Sequence, residues 1–344
     1  MKKHEKIMFH KSQLTRFSVF GFLCVFLLVA ESVFAQISDE KSGNGASVEV
    51  PRGREVVEVW NRDDGRGFSR QIGVVESFTR NGLILKTGEE EITIPAEQVA
   101  RILYRKSDEH QIGDLHFQQK NYRDAREHYK KARLTADRRW VEVEILERIV
   151  RCDLALGFHA QAVQDFVTLV ELEPEMTDTV FACIPLLWRT IPGDRALEDT
   201  ATKLLRVAGN VPEISLLGAS CLMFSAQGKD MATRLKVLSS NRDARIATLA
   251  EMQAWRLELI NVTPEKASLW REKIENLPPE FRAGPNFVLA QAFLRLENPD
   301  AATLAFLRAG YLFNPDVRLA EEAISQGKKT LENAGHADEA TKIK

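Results

Sequence analysis

The chain has 344 residues, 44% hydrophobic and 28% charged, ordinary globular values that exclude a disordered, collagen-like or polytopic membrane protein. Beyond residue 35 it carries 42 basic against 47 acidic side chains, a net of −5. No global attraction therefore draws it to nucleic acid or anionic lipid.

The first 16 residues hold Lys2, Lys3, Lys6, Lys11 and Arg16 against Glu5 alone. Phe17 to Ala30 then runs almost without a polar group, and Val33-Phe34-Ala35 places small or modest side chains where signal peptidase needs them. At about 1.5 Å per residue this run reaches about 21 Å, short of the ~30 Å hydrocarbon core. The expectation is a signal peptide over 1–35, cleaved after Ala35, with export to the periplasm or beyond. An uncleaved anchor is the alternative. Cys152, Cys183 and Cys221 follow, an odd number without metal-ligand spacing and each in an apolar pattern, so they read as small buried hydrophobes.

Residues 36–53 are Ser/Gly/Asp/Glu-rich and aperiodic, as a flexible tether would be. The period then changes to two. Strands are expected at Glu55–Trp60, Gln71–Phe78, Leu83–Lys86, Ile92–Ile94 and Ala100–Tyr104, with turns at Asp63-Asp64-Gly65, Arg80-Asn81-Gly82, Thr87-Gly88 and Pro95–Gln98. Five strands in so short a stretch are expected to close into a barrel over 54–106 that hides its own edges. The runs Ile72-Gly73-Val74-Val75, Asn81-Gly82-Leu83-Ile84-Leu85, Glu91-Ile92-Thr93-Ile94-Pro95 and Val99-Ala100-Arg101-Ile102-Leu103 resemble the Sm-like and SH3-like small barrels. Relatives of the Sm-like kind that grip RNA carry an Asp/Asn pair and a basic-Gly pair, and neither stands here. Nine basic residues balance nine acidic ones between Gly53 and Lys106, and Glu89-Glu90-Glu91 would repel phosphate. A packing or protein-contact role is expected of this segment, and no nucleic acid.

From residue 107 onward a spacing recurs. Ala125, Tyr129 and Ala132 are followed by Ala162, Phe166 and Leu169, then by Ala201, Leu205 and Ala208, and late in the chain by Ala302, Phe306 and Ala309. A small residue, a large one a turn later and another small one define a helix face that lets a neighbour approach closely. Recurrence near 34–40 residues marks a stacked array of helix pairs. The copies Ile112-Gly113, Tyr122, Ala125, Tyr129, Ala132; Ile149, Gly157, Ala162, Phe166, Leu169, Pro174; and Leu289-Ala290, Phe293, Ala302, Phe306, Ala309, Pro315 resemble the tetratricopeptide repeat. His116, Asp137 and Val150 depart from its pattern. Between about 178 and 279 only helix lengths and breakers persist (Pro192-Gly193, Gly209, Gly228, Thr263-Pro264). The expected fold class is mainly α: a right-handed α-solenoid of such pairs over 107–344, about thirteen helices, preceded by the small barrel.

No catalytic, metal or cofactor motif is present. Gly65 and Gly67 lack a third glycine for a phosphate loop, there is no His-Glu-x-x-His, and Gly218-Ala219-Ser220-Cys221-Leu222 lacks the second glycine of a nucleophile elbow. His110 and His116 are six apart and diverge around a helix, and His128 is expected on a solvated face. Trp140, Trp188, Trp255 and Trp270 are scattered as core-filling aromatics are. The expectation is a non-catalytic scaffold without cofactor.

The resemblance implies a concave groove that holds a protein or peptide partner. Its lining would be His110, Asp114, Phe117 and Gln118, then Glu147, Arg151 and Leu154, with Phe287, Gln291, Leu294 and Arg295 from the late repeat. His110 and Asp114 do not supply the Lys and Asn of the two-carboxylate clamp that some relatives use, which disfavours that ligand class. If the groove binds, Asp114→Lys with Arg151→Glu should change partners without changing the fold. A second candidate is a basic stripe, Arg123, Arg126, Lys130 and Arg133, stepping 3, 4 and 3 along one helix, suited to an acidic peptide, anionic polymer or headgroup. Asp124 and Glu127 are interleaved with it, so a plain solvated face explains it too. The rival function from another class is nucleic-acid or glycan binding through the barrel, marked by a basic or aromatic face.

Overall fold

The computed structural model describes residues 50–61, 67–189, 191, 194–312 and 316–343. The expected signal segment, residues 36–49 of the tether, the turn Asp63-Asp64-Gly65, Pro192-Gly193 and Pro315 lie outside the described residues. Five strands form one antiparallel sheet: β1 (Glu55–Trp60), β2 (Phe68–Thr79), β3 (Gly82–Thr87), β4 (Glu90–Ile94) and β5 (Val99–Leu103), in the order β4-β3-β2-β1-β5. Strand β2 changes partner midway, pairing with β1 from Phe68 to Gly73 and with β3 from Val74 to Thr79. Gly73 sits at the switch, where a Cβ would come 2.6 Å from the Lys86 carbonyl. Only glycine lets the strands cross there.

The sheet does not close. Strands β4 and β5 remain its edges, so the closed barrel expected from the strand count is not what forms. The reason is that helices cover the apolar face. Val57, Val59, Val75, Leu83, Leu85 and Ile94 share one core with Ala125, Tyr129, Trp140, Ile145 and Ile149. Trp140 Nε1 donates to the Val75 carbonyl at 3.0 Å, and Glu55 accepts from Val75 N at 2.7 Å while pairing with Arg138. Glu58 is also fully buried, beneath Arg70 (2.8 Å) and Arg101. Burial pushes its carboxyl up, but the hydrogen bonds and charges of the two guanidiniums outweigh that and hold it below the usual range.

Fourteen α-helices follow among the described residues. The first four are α1 (Asp108–Gln118), α2 (Tyr122–Leu134), α3 (Arg139–Leu156) and α4 (His159–Leu172). A single turn, α5 (Asp178–Phe181), precedes α6 (Arg195–Ala208), α7 (Pro212–Leu222), α8 (Gly228–Leu238) and α9 (Ala244–Glu258). The rest are α10 (Pro264–Glu275), α11 (Ala283–Arg295), α12 (Pro299–Leu307), α13 (Val317–Asn333) and the short α14 (Ala337–Ala340). The recurring small–large–small residues are where burial puts them. Ala125, Tyr129 and Ala132, Ala162, Phe166 and Leu169, and Ala302, Phe306 and Ala309 are all at most 1% exposed. Leu205 and Ala208 are only half-buried, so the third copy is the weak one. Gly113 of α1 lies so close to α2 that a Cβ would meet the Tyr129 ring at 2.8 Å. Ser107, Asp194, Asp243, Thr263, Asn298 and Asp316 cap helix starts through side-chain oxygens, which satisfies backbone N–H groups otherwise left unpaired.

Most consecutive helices pack on one another, α4 packs on α6 across the single turn, and α7, α9, α11 and α13 also touch in that order. Trp255 of α9 stacks on Trp270 of α10 at 4.8 Å between ring centroids, and Trp140, Trp255 and Trp270 are buried as core aromatics. A late helix also returns to an early one. Arg318, at the start of α13, donates from Nε to the Ala155 carbonyl (2.9 Å) and from Nη2 to the Leu156 carbonyl (3.1 Å), both at the end of α3. The β2–β3 turn is tied to the array as well, through Arg80 and Asp243 at 2.6 Å and Arg80 N to the Glu175 carbonyl at 2.8 Å.

Candidate functional site

The α1 and α3 residues expected to line a groove are brought together, but around a partly buried, internally paired polar network. Lys106 Nζ donates to Asp114 Oδ2 (2.8 Å) and Glu144 Oε1 (2.9 Å), Tyr129 OH donates to Asp114 Oδ1 (2.8 Å), and Tyr104 OH donates to Glu144 Oε2 (3.0 Å). His110 is 1% exposed within this network, with Nδ1 3.3 Å from Tyr104 OH. Burial, and after it the Lys106 charge, lowers its basicity, so the imidazole is held neutral. Asp114 is held ionised: burial pushes its carboxyl up, and Lys106 with the Tyr129 hydroxyl more than offsets it. Glu147 is buried and paired with Arg151, and Leu154 is buried in the core. Phe117 is half-buried, packed edge-on against Tyr122 and Tyr129 with the Arg148 guanidinium 5.3 Å over its ring. Of these seven residues only Gln118 is exposed. An adjoining cleft of about 580 Å³ is lined by Tyr104, Lys106, His110, Glu55 and Arg138, whose charges are answered from within the fold.

The basic stripe is consumed in the same way. Arg126 pairs with the fully buried Asp153, Arg133 Nε meets Glu142 at 2.9 Å, and Lys130 lies 3.5 Å from Glu127. Burial and a hydrogen bond with Asp165 raise the Asp153 carboxyl above its usual range, against the pull of Arg126. Arg123 alone of the four is exposed without such a pair among the described residues. His128, expected in solvent, instead stacks on His116 at 5.3 Å and meets Glu109 Oε2 at 2.6 Å.

The α11 residues expected in the groove fare differently. Phe287 is buried in the core beside Phe306, but Gln291, Leu294 and Arg295 of α11 line an open cleft of about 680 Å³ with Phe224, Arg256, Leu257, Leu259 and Ile260. Phe224 (52%), Ile260 (75%) and Leu294 (40%) are large apolar side chains left in water. Arg256 lies under them, 6% exposed, with its guanidinium 4.9 Å over the Phe224 ring. No carboxylate lines this cleft. No protein-family model and no curated protein matches the chain. The functional reading therefore rests on this geometry.

Phe224, Arg256 and Ile260 were not singled out from sequence. Phe224 and Ile260 each follow the end of a helix, where an apolar residue reads as the last member of a core stripe. Arg256 reads as a solvated charge near the end of α9. Its one sequence signal is the flanking Ala254-Trp255 and Leu257, which leaves a lone charge in an apolar run. Cys152 and Cys183 are buried free thiols, as expected, and Cys221 is a half-buried one.

Proposed function

We propose that the protein is an exported, non-catalytic scaffold that holds a peptide or helix of a partner protein in the cleft formed by α9, the turn that follows it, α11 and Phe224 just beyond α7. The observation that carries this reading is the cleft itself: three large apolar side chains exposed around a concave surface, on positions that include Gln291, Leu294 and Arg295 from the repeat-derived groove. Exposed apolar groups gathered in a concave site, and not scattered singly, mark a binding surface. The tetratricopeptide resemblance supports the same reading through the repeated helix pairs. Selection from a displayed random-peptide library should enrich apolar sequences. The triple variant Phe224→Ser, Ile260→Ser, Leu294→Ser, which changes only exposed side chains, should lose that enrichment with an unchanged circular dichroism spectrum. Equal enrichment by both proteins would remove the cleft from consideration.

A second reading has one observation in its favour. Trp60 and Phe68, 49% and 36% exposed, form an edge-on pair at one end of the sheet with Arg70 5.7 Å over the Phe68 ring. An aromatic surface of this kind suits a sugar ring or a base. Titration of single-stranded RNA or oligosaccharides, followed by tryptophan fluorescence against a Trp60→Leu control, separates it from the peptide reading.

Export rests on the basic, then apolar, N-terminal run. No helix among the described residues is long and apolar enough to cross a membrane. N-terminal sequencing of protein recovered from the cell envelope should begin at Gln36, and retention of residues 1–35 would indicate an anchor instead.

A further inference from the structure

Arg256 borders the α9–α11 cleft at 6% exposure, and no anionic group among the described residues pairs with it. Nη1 donates to Gln253 Oε1 (2.7 Å) and the Ser220 carbonyl (3.3 Å), and Nη2 reaches the Arg189 carbonyl at 3.5 Å. All are neutral acceptors. Burial alone drags the guanidinium down to about 10, because no carboxylate charge offsets it. The contrast within the molecule is sharp: Arg126 has Asp153, Arg138 has Glu55, Arg151 has Glu147 and Arg245 has Asp243. Removing an ion from water without a counter-charge costs several kcal/mol, so folded chains pair such groups or leave them for a ligand.

The surroundings state what that ligand carries. Arg256 opens onto a cleft that also holds Arg295, exposed and without an ion pair among the described residues, and the Gln291 amide. Around these donors stand Phe224, Ile260 and Leu294. Two guanidiniums without a carboxylate make the cleft cationic, while its rim is apolar. Nucleic acid would need a track of cations for successive phosphates, and this cleft has two.

We infer that the cleft takes a peptide segment bearing a carboxylate side chain next to large apolar residues, with the carboxylate on Arg256 and Arg295 and the apolar side chains on Phe224, Ile260 and Leu294. The inference rests on the peptide-binding reading above and adds the partner's chemistry to it. In the water-poor floor of the cleft a charged hydrogen bond from a preformed guanidinium is worth more than at the surface, and the fork geometry orients the segment. Arg295 at the rim adds attraction during approach.

The test uses two displayed libraries with randomised apolar neighbours around a fixed Glu in one and a fixed Gln in the other, all peptides amidated at the C-terminus. Binders from the Glu library should hold the full chain about 30-fold or more tighter than their Gln twins, the loss expected when one partner of a buried charge pair is removed. Arg256→Gln should abolish that discrimination. Arg295→Ala, at an exposed position that leaves the fold intact, should shrink it by several-fold and serves if Arg256→Gln does not fold. Twins that bind equally would overturn the carboxylate assignment and leave the peptide reading standing. The same peptides are also assayed with a free C-terminus, and binding only by these unamidated forms would overturn the side-chain assignment. Absence of binders in both libraries, or competition by single-stranded RNA alone, would overturn both readings.

Discussion

Phe166→Ala should lower the unfolding free energy by roughly 3–5 kcal/mol, the range for truncating a buried aromatic. The ring is 0% exposed, meets Phe181 edge-on at 6.5 Å, and sits in the core shared by α3, α4 and α7. Ala162 and Leu169, on the same face, have side chains too short to fill the void. Denaturant melts at constant m-value measure the loss, and a change below about 1 kcal/mol would mean the recurring aromatics do not fill the core.

Asp114→Lys should destabilise the fold by about 2–3 kcal/mol, between the limits for exposed and fully buried ion pairs. The sequence alone suggested the opposite, a groove charge that could be reversed without cost. In the structure Asp114 accepts from both Lys106 and Tyr129, and a second ammonium there would face Lys106 across less than a side-chain length while stranding the Tyr129 hydroxyl. Asp114→Asn, which keeps an acceptor and adds no charge, should cost less. Thermal melts of the two variants side by side check the order. Equal stability of the Lys variant and the parent would show the network to be dispensable.

That reversal marks the boundary of what local sequence carries. The strands were legible because alternation is local: Glu55–Trp60 is found as expected, and the other four agree apart from a few end residues. So was the helix face of Ala125, Tyr129 and Ala132, since a 4-then-3 step has one helical meaning. Whether a sheet closes, or whether Asp114 faces water, depends on segments far away in the chain. Trp140 and Tyr129 cover the sheet, so it has no need to cover itself. Glu144, on α3 with the whole of α2 between it and His110, turns a candidate groove into an internally paired network. Arg256 escaped notice for the converse reason: its pattern position says solvent, and only the packing of Phe224 over it says otherwise.

Arg318 ties together two parts of the helical region that are far apart in the chain. In a linear stack each unit leans on one neighbour toward the end, so the outermost helices fray and melting can proceed inward by steps. Here α13 is hydrogen-bonded to carbonyls at the end of α3, 163 residues earlier in the chain. The late helices thus have two sets of neighbours, and opening them also uncovers the end of α3. Opening of the late helices is thereby coupled to the end of α3, so the α9–α11 cleft lies between segments that are tied to each other.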